Sequence, residues 1–406
     1  MKQEIKQRIE QIKNGEVPNG YKKTKIGIVP NEWEINSLKN ITIQLDEKAG
    51  ERIFETLSIT AGKGFVNQAE KFGKELSGKQ YVNYTVINKG DFSYNKGNSK
   101  KYPQGCVYML EDRECAAVPN VFNSFRLKNQ CNEFFKQLFI DGFLNKQLYK
   151  YINSGVRNDG LLNLYDRDFY SCKVLIPPLN EQQKISDILS TQDRVIELKE
   201  KLLKEKEKRK KYLMQILLTG RKRLKGFNGE WKKYNFENIF RVIASNKYQI
   251  KKNEYLVEGV YPVIDQGKKE IVGYSNNEEK VLKCPQEGII VFGDHTCCLK
   301  FIDFDFIVGA DGTQLLSSKS DEFLNIFLYY YLSNKKIIND GYSRHFKYIK
   351  EFVYTLPKFE EQKAIAEILT TADKELKLLQ EELEEEKRKK KALMQLLLTG
   401  IVRVKV

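Results

Sequence analysis

Apolar residues fall at three- and four-residue steps in two long stretches of the chain and in short alternating or clustered runs elsewhere. In the first stretch Ile185, Ile188, Leu189, Gln192, Val195, Ile196, Leu202 and Leu203 line one helical face and leave the charges on the other. Ile365, Ile368, Leu369, Ala372, Leu376, Leu379 and Leu383 repeat the stripe in the second. The two stretches are copies. Pro177–Arg223 overlays Pro357–Arg403 without a gap, with 21 of 47 positions identical. Each copy opens with Glu-Gln-x-x-Ile-x-x-Ile-Leu-x-Thr-x-Asp, from Glu181 and from Glu361, and closes with Leu-Met-Gln-x-Leu-Leu-Thr-Gly at Gly220 and Gly400.

The pattern predicts two long helices. Asn180 and Gln183 have capping-box spacing, and Gly220 and Gly400 sit where a left-handed stop belongs. Some 39 residues, Glu181 to Thr219, make a rod of about 58 Å at roughly 1.5 Å per residue, which calls for a partner. The other copy supplies it. Glu197–Lys211 holds eight Lys/Arg against four acids, and Lys377–Lys391 six against five, so an antiparallel pairing sets the acidic cluster Glu381–Glu386 against the basic run Lys204–Lys211. The competing reading is two independent helices with solvated charged faces.

Aromatic-rich segments of mixed pattern precede each rod, at residues 33–176 and 231–356. Their openings match around Trp33 and Trp231, and Lys89–Tyr94 resembles Glu287–Phe292 as a turn feeding a strand. Strand-like runs at Gln80–Ile87, Gly105–Leu110 and Phe301–Val308, with helical runs at Phe134–Asn153 and Glu322–Asn334, give two mixed α/β heads. The fold class is α+β: two heads joined by two long helices that pair as an antiparallel coiled coil. The expected order is an N-terminal helix (1–15), first head (16–176), first helical repeat (177–220), second head (221–356), second repeat (357–400) and a tail (401–406). Ile9-x-x-Ile12-x-x-Gly15 reads as a partial third repeat that packs near the end of the second rod.

Composition narrows the partner. A net charge of +15 and a pI near 9.2 favour a polyanion. No apolar run reaches membrane-spanning length and the N-terminus lacks a signal-peptide core, so a cytoplasmic protein without membrane contact is expected. Seven cysteines without a Cys-x-x-Cys pair, beside only His295 and His345, make idle thiols the expectation and leave no metal site.

Catalytic signatures fail one by one. The only Pro-Pro, Pro177-Pro178, is a helix-start signal rather than a methyltransferase loop. Gly73–Gln80 approaches a phosphate-binding loop, but Gln80 replaces the magnesium-binding hydroxyl. Asp294-His295 and Asp303-Phe304-Asp305 lack the further ligands that metal or acid/base chemistry needs. No catalytic residue is expected. Sequence reading instead needs Arg, Asn or Gln on held loops, with Lys and hydroxyls for phosphate. In the first head Tyr94, Asn95, Lys96, Asn98, Lys100, Lys101 and Tyr102 form such a loop, and Arg157 and Asn158 a second. Lys268, Lys269, His295, Thr296, Ser343, Arg344, His345 and Lys347 are the second head's candidates.

On these residues the chain resembles the specificity subunits of type I restriction-modification systems. Pro-x-x-x-Glu-Gln-x-x-Ile-x-x-Ile-Leu carries the resemblance twice, from Pro177 and from Pro357, with the Leu-Leu-Thr-Gly endings and Pro-x-Glu-Trp at Pro30–Trp33. It covers essentially the whole chain. The second head lacks the proline of Pro30, and Phe359 replaces Leu179. The resemblance implies two target-recognition domains, each reading one half of a gapped double-stranded DNA site. It implies docking of two methyltransferase subunits on the repeats, around Glu181, Gln182, Ile185, Ile188, Leu189, Glu361, Gln362, Ile365, Ile368 and Leu369. Two restriction/translocase subunits complete the implied complex. S-adenosylmethionine, ATP and Mg would belong to those partners, with no cofactor on this chain. Two other readings stay open: a non-specific nucleic-acid-associated coiled-coil assembly protein, and an enzyme working through His295 or His345.

Overall fold

The computed structural model describes residues 3–73, 78–97, 102–152, 162–309, 311–337 and 343–405. Two compact units divide the chain: the first runs to Leu198 and resumes at Leu383, and the second is Lys199–Glu382. Each long helix, Leu179–Leu217 and Phe359–Leu397, has 39 residues and contributes one half to each unit.

In the first unit the two helix halves run antiparallel, Gln192 meeting Glu386 at 2.6 Å and Asp193 meeting Lys390 at 2.5 Å. In the second, Lys199 pairs with Glu382 at 2.5 Å, Lys206 with Glu375, and Lys210 with Asp373. Asp193–Lys390 and Lys210–Asp373 are the same contact with the helices exchanging roles. This register corrects the sequence expectation. Lys204–Lys211 lies against residues near Asp373 and Glu375, while Glu382 and Glu386 meet Lys199 and Gln192. Buried repeat residues fix the register, and the charges follow it.

The helix starts differ from a capping box. Pro178 C=O accepts the Glu181 and Gln182 amides at 2.9 and 3.0 Å, Asn180 Oδ1 accepts only the next amide, and Gln183 reaches forward to Asp187. The ends agree with expectation. Gly220 and Gly400 adopt φ of 69° and 72°. A Cβ on Gly220 would find Trp231 at 3.5 Å, whereas one on Gly400 would strike Pro30 at 2.6 Å. Gly220→Ala is therefore expected to cost about 1 kcal/mol from backbone strain alone. Gly400→Ala should cost about 2–3 kcal/mol by adding overpacking, a difference that urea unfolding followed separately in each unit measures.

Both heads share one topology despite unlike sequences. A four-stranded antiparallel sheet in the first head orders Thr42–Gln44, Asn123–Leu127, Phe92–Asn95 and Cys106–Met109. Its counterpart in the second orders Phe240–Ile243, Thr313–Ser318, Ile289–Gly293 and Leu299–Ile302. The matched turns at Lys89–Tyr94 and Glu287–Phe292 thus lead into equivalent inner strands. A hairpin follows the first strand in each head, Leu57–Thr60 with Gly64–Asn67 and Tyr261–Ile264 with Gly273–Ser275. Each hairpin also makes a parallel link, at Thr56–Ala117 and at Val263–Ile307.

Several local expectations shift. Gly78–Asn83 is a 3-10 turn ahead of strand Thr85–Asn88, because Gly, Gln and Asn interrupt the alternation that a strand needs. Phe301–Val308 splits at Asp303–Asp305 into two strands, and the first head's helical run splits at Gly142 into Asn132–Ile140 and Asn145–Tyr151. The second head's helical run begins later than expected, at Asn325. The N-terminal helix is Gln3–Lys13. Arg8 donates to the Tyr21 hydroxyl, which donates to Gly400 C=O at 3.0 Å, so the N-terminal segment does meet the end of the second long helix.

Each head opens and closes on one ribbon. Glu34–Ser37 pairs with Lys173–Ile176, and Lys232–Tyr234 with Tyr354–Leu356, directly before each long helix. Aromatic side chains fill the first core, with Phe92 stacked on Phe125 at 5.5 Å and Tyr94 on Phe169 at 4.5 Å. Burial pushes the Cys106, Cys172 and Cys284 thiols up to about 11, 12 and 11, which keeps them protonated at neutral pH.

Candidate nucleic-acid interface

In the second head, hairpin, strand-end and helix-start loops converge although they lie far apart in sequence. Asp265 follows the hairpin's first strand and folds the turn by accepting the Gly267 amide at 2.7 Å, an Asx turn that brings Lys268 and Lys269 to the surface. Lys300, 8% exposed, supports this turn from inside. Its ammonium donates to Asp265 C=O at 2.7 Å and lies 3.8 Å from the Asp265 carboxylate. Burial lowers the Lys300 pKa, and Asp265 opposes that shift.

Gln266 connects the turn to the next loop. Its Oε1 accepts the His295 amide at 3.1 Å, its Nε2 donates to Asp311 C=O at 2.7 Å, and its own C=O accepts the Thr296 hydroxyl. Space at Gly293 and Gly312 is needed for this approach. A Cβ on Gly293 would collide with Thr296 Oγ1 and Gln266 C=O, and one on Gly312 with Gln266 Nε2 at 2.9 Å. Asp294 then ties in the third loop. Its carboxylate accepts the Phe346 amide at 2.8 Å, and its C=O accepts the His345 amide and faces His345 Nδ1, both at 2.9 Å. His295 Nδ1 lies 3.2 Å from Ser343 C=O, and Ser343 Oγ 3.3 Å from His345 Nε2. Each ring thus carries its proton on Nδ1, where a carbonyl accepts it.

This arrangement sorts the candidates. Lys268, Lys269, Thr296, Arg344 and Lys347 are exposed around one loop cluster, while His295 and Ser343 are half-buried within it. Lys347 also lies over the Tyr348 ring. His345 is a correction: with no exposed surface, it braces the loop.

In the first head the flanks of the two candidate loops meet at Lys96. Its C=O accepts the Leu162 amide at 2.9 Å, and its ammonium pairs with Asp166 at 2.6 Å. Asn95 closes a turn onto the Gly97 amide at 2.8 Å, and Tyr102 is half-buried. Tyr94 is a second correction. Strand alternation turns its ring into the core, where its hydroxyl donates to Gln104 C=O at 2.7 Å. Asn98, Lys100, Lys101, Arg157 and Asn158 lie outside the described residues, as does most of the Gly73–Gln80 loop's centre.

The repeat residues, expected as the docking and helical-repeat set, have intramolecular partners. Glu181, 1% exposed, accepts Trp33 Nε1–H at 2.9 Å and two Arg403 N–H groups at 2.7 and 2.8 Å. Glu361 repeats this clamp with Arg223 at 2.6 and 2.7 Å and Trp231 at 3.3 Å. Hydrogen bonding to Glu181 raises the Arg403 pKa. Gln182 accepts the Cys131 amide and Gln362 that of Leu324, both at 3.0 Å, and each donates back to the proline C=O before its helix. Ile185, Leu189, Ile365 and Leu369 are core residues, and Ile188 and Ile368 pack against the same cores. Sequence reading missed Gln266 and Lys300. The Asp-Gln-Gly turn between two strand-like runs was a signal for Gln266, but nothing local marks Lys300 as buried.

The family model described as the type I restriction modification DNA specificity domain matches residues 30–208 and 228–387. The chain is 28% identical over 425 aligned positions to a putative type I restriction enzyme MjaX specificity subunit of Methanocaldococcus jannaschii, covering 95% of this chain and 97% of that one. Over 227 positions, about half of each chain, it is 28% identical to the MjaVIII specificity subunit of the same organism. Among solved structures it resembles the type I restriction-modification S subunit of M. genitalium, with a TM-score of 0.60, 15% identity and coverage of 92% of this chain and 97% of that chain. A chain from a structure of type I R-M complex assembly and conformational transition aligns at TM-score 0.56 and 17% identity, over 92% and 99% of the two chains.

Proposed function

The chain belongs to the type I restriction-modification DNA specificity family, and from that premise we propose that it reads a bipartite, gapped DNA site, one half with each head. The carrying observation is that two heads of one topology, each on its own Trp-Glu-Arg clamp, differ in loop sequence, the second exposing Lys268, Lys269, Arg344 and Lys347 on its loop cluster. A duplicated scaffold with unlike reading loops suits two unlike half-sites.

In this reading Arg344, Lys268, Lys269 and Thr296 contact the second half-site, with Lys347 on phosphate. Asn95, Lys96 and Tyr102, with Asn98, Lys100, Lys101, Arg157 and Asn158, serve the first. Two methyltransferase subunits dock on the long helices, not through the buried Glu-Gln motif but on exposed apolar positions such as Leu179, Leu202, Tyr212 and Leu378. Two restriction/translocase subunits complete the assembly. S-adenosylmethionine belongs to the methyltransferases, and ATP and Mg to the translocases. Helix length sets the unread gap.

Arg344→Ala tests the base-reading assignment. It should weaken binding of the assembled methyltransferase to its site about tenfold and relax discrimination only in the second half, as competition with singly mismatched duplexes would show. Equal losses on matched and mismatched duplexes would make Arg344 a phosphate contact. No loss would remove this loop from the interface.

A further inference from the structure

The geometry points to Gln266 as the positioning residue of the second head's reading surface. This rests on the proposed base reading by that head. A glutamine on an exposed turn beside two lysines has the right chemistry to read adenine, because its amide can pair with a base edge in two places. Both ends of this amide are already taken. Oε1 accepts the His295 amide and Nε2 donates to Asp311 C=O, while the backbone C=O accepts the Thr296 hydroxyl.

Backbone bonds join these segments only at their bases, Ile264 C=O accepting the Gly309 amide and Gly312 C=O the Asp294 amide, both at 2.7 Å. Beyond those points Gln266 supplies the link between the turn and the next loop. Thr296 and His295 hang on it directly, Ser343, which precedes Arg344, follows through His295 Nδ1, and the neighbouring Asp294 binds the His345 and Phe346 amides after Arg344. Lys300 fixes the base of the same turn through Asp265 C=O. Reading a base edge requires side chains held within about half an ångström of their working geometry. Without the link, the turn carrying Lys268 and Lys269 keeps its base, held by Lys300 and by the Ile264–Gly309 bond, but loses its fixed placement against the loop carrying His295 and Thr296. Loss of Gln266 is thus expected to blur several base preferences together, unlike loss of a reading residue, which relaxes one position. A Cβ on Gly312 would meet the Gln266 amide at 2.9 Å, and one on Gly293 would meet Thr296 Oγ1 and the Gln266 C=O, so the local backbone leaves room for this link.

The test is adenine-methylation sequencing of cells in which the full-length chain, with its partner subunits, carries Gln266→Ala, Thr296→Val or Arg344→Ala. Thr296→Val removes the hydroxyl that donates to Gln266 C=O and accepts the Cys298 amide at 3.2 Å, and is a milder probe in case the first variant folds poorly. Relaxation at one position marks loss of a Thr296 base contact, and relaxation at several marks loss of the Gln266 link. Melting of each purified chain is recorded alongside. The expected result for Gln266→Ala is methylation spreading to sites mismatched at more than one second-half position, with discrimination there reduced about tenfold. The first half and the melting of the first unit stay unchanged, and Thr296→Val shows a weaker version of the same spread. If Arg344→Ala relaxes the second half but neither Gln266→Ala nor Thr296→Val does, the positioning role is wrong and the reading assignment stands. A motif unmoved by all three variants overturns the reading and the inference together. Complete loss of methylation by Gln266→Ala with early melting of the second unit, and no spread by Thr296→Val, would make Gln266 merely structural and overturn the proposal.

Discussion

Trp33→Ala is expected to destabilise the first unit by about 3–5 kcal/mol, the range for removing a large aromatic from a core. Trp33 has no exposed surface and packs in the cluster that joins the first head to Ile185, Leu189 and Leu397. Its indole also donates to Glu181, a carboxylate almost without solvent, so truncation opens a cavity and removes one of that carboxylate's donors. Against a typical domain stability of about 5–15 kcal/mol, this is a large fraction. Trp231→Ala should cost less, because its ring is half-buried and its bond to Glu361 is longer, at 3.3 Å. Hydrogen exchange resolves the two cases. Trp33→Ala should raise exchange in strands Glu34–Ser37 and Lys173–Ile176 and spare Lys232–Tyr234 and Tyr354–Leu356. Equal responses from both variants would show that the tryptophans are interchangeable, contrary to the packing.

Exchanging residues 33–176 for the head of another family member is expected to replace one half of the recognised site and leave the other intact. Both ends of the exchanged segment lie on one ribbon, Glu34–Ser37 against Lys173–Ile176, so an incoming head enters and leaves at neighbouring points. Its docking requirements are few: a tryptophan for Glu181, an aromatic face for Ile185 and Leu189, and a polar group for Asp193, which Gln137 supplies here at 2.8 Å. The second head meets the last requirement with Tyr330, whose hydroxyl reaches Asp373 at 2.7 Å. Unlike residues thus serve one attachment in the two heads, which is why a foreign head is expected to seat. The methylated motif of the hybrid is the readout, and a change in both halves would contradict independent reading.

The long helices were legible because a helix buries one side chain per turn, and Ile185, Leu189, Ile365 and Leu369 are all buried as their spacing requires. The paired tryptophans were legible as one position used twice, but not their shared partner: that Glu181 and Glu361 would receive them depends on folding across 148 and 130 residues. The facing charges were misjudged because Glu381–Glu386 and Lys204–Lys211 match in sign over many registers. Only buried contacts choose among these, and surface ion pairs are worth too little to compete. Among site residues, loop composition offered Lys268, Arg344 and Lys347 as DNA-contact candidates, and all three are exposed. It failed for Tyr94 and His345, since polarity and aromatic character do not reveal which way a strand or loop turns its side chain. Gln266 and Lys300 escaped notice because their roles consist of contacts to backbone groups brought near by the fold.

The most direct measurement is genome-wide adenine-methylation sequencing of cells with and without this gene, with the partner methyltransferase shown to be expressed in both. Loss of methylation at one two-part motif separated by a fixed unread gap is the predicted result. Unchanged methylation would contradict sequence-specific recognition by this chain and would favour a non-specific assembly role for its basic, helix-paired scaffold.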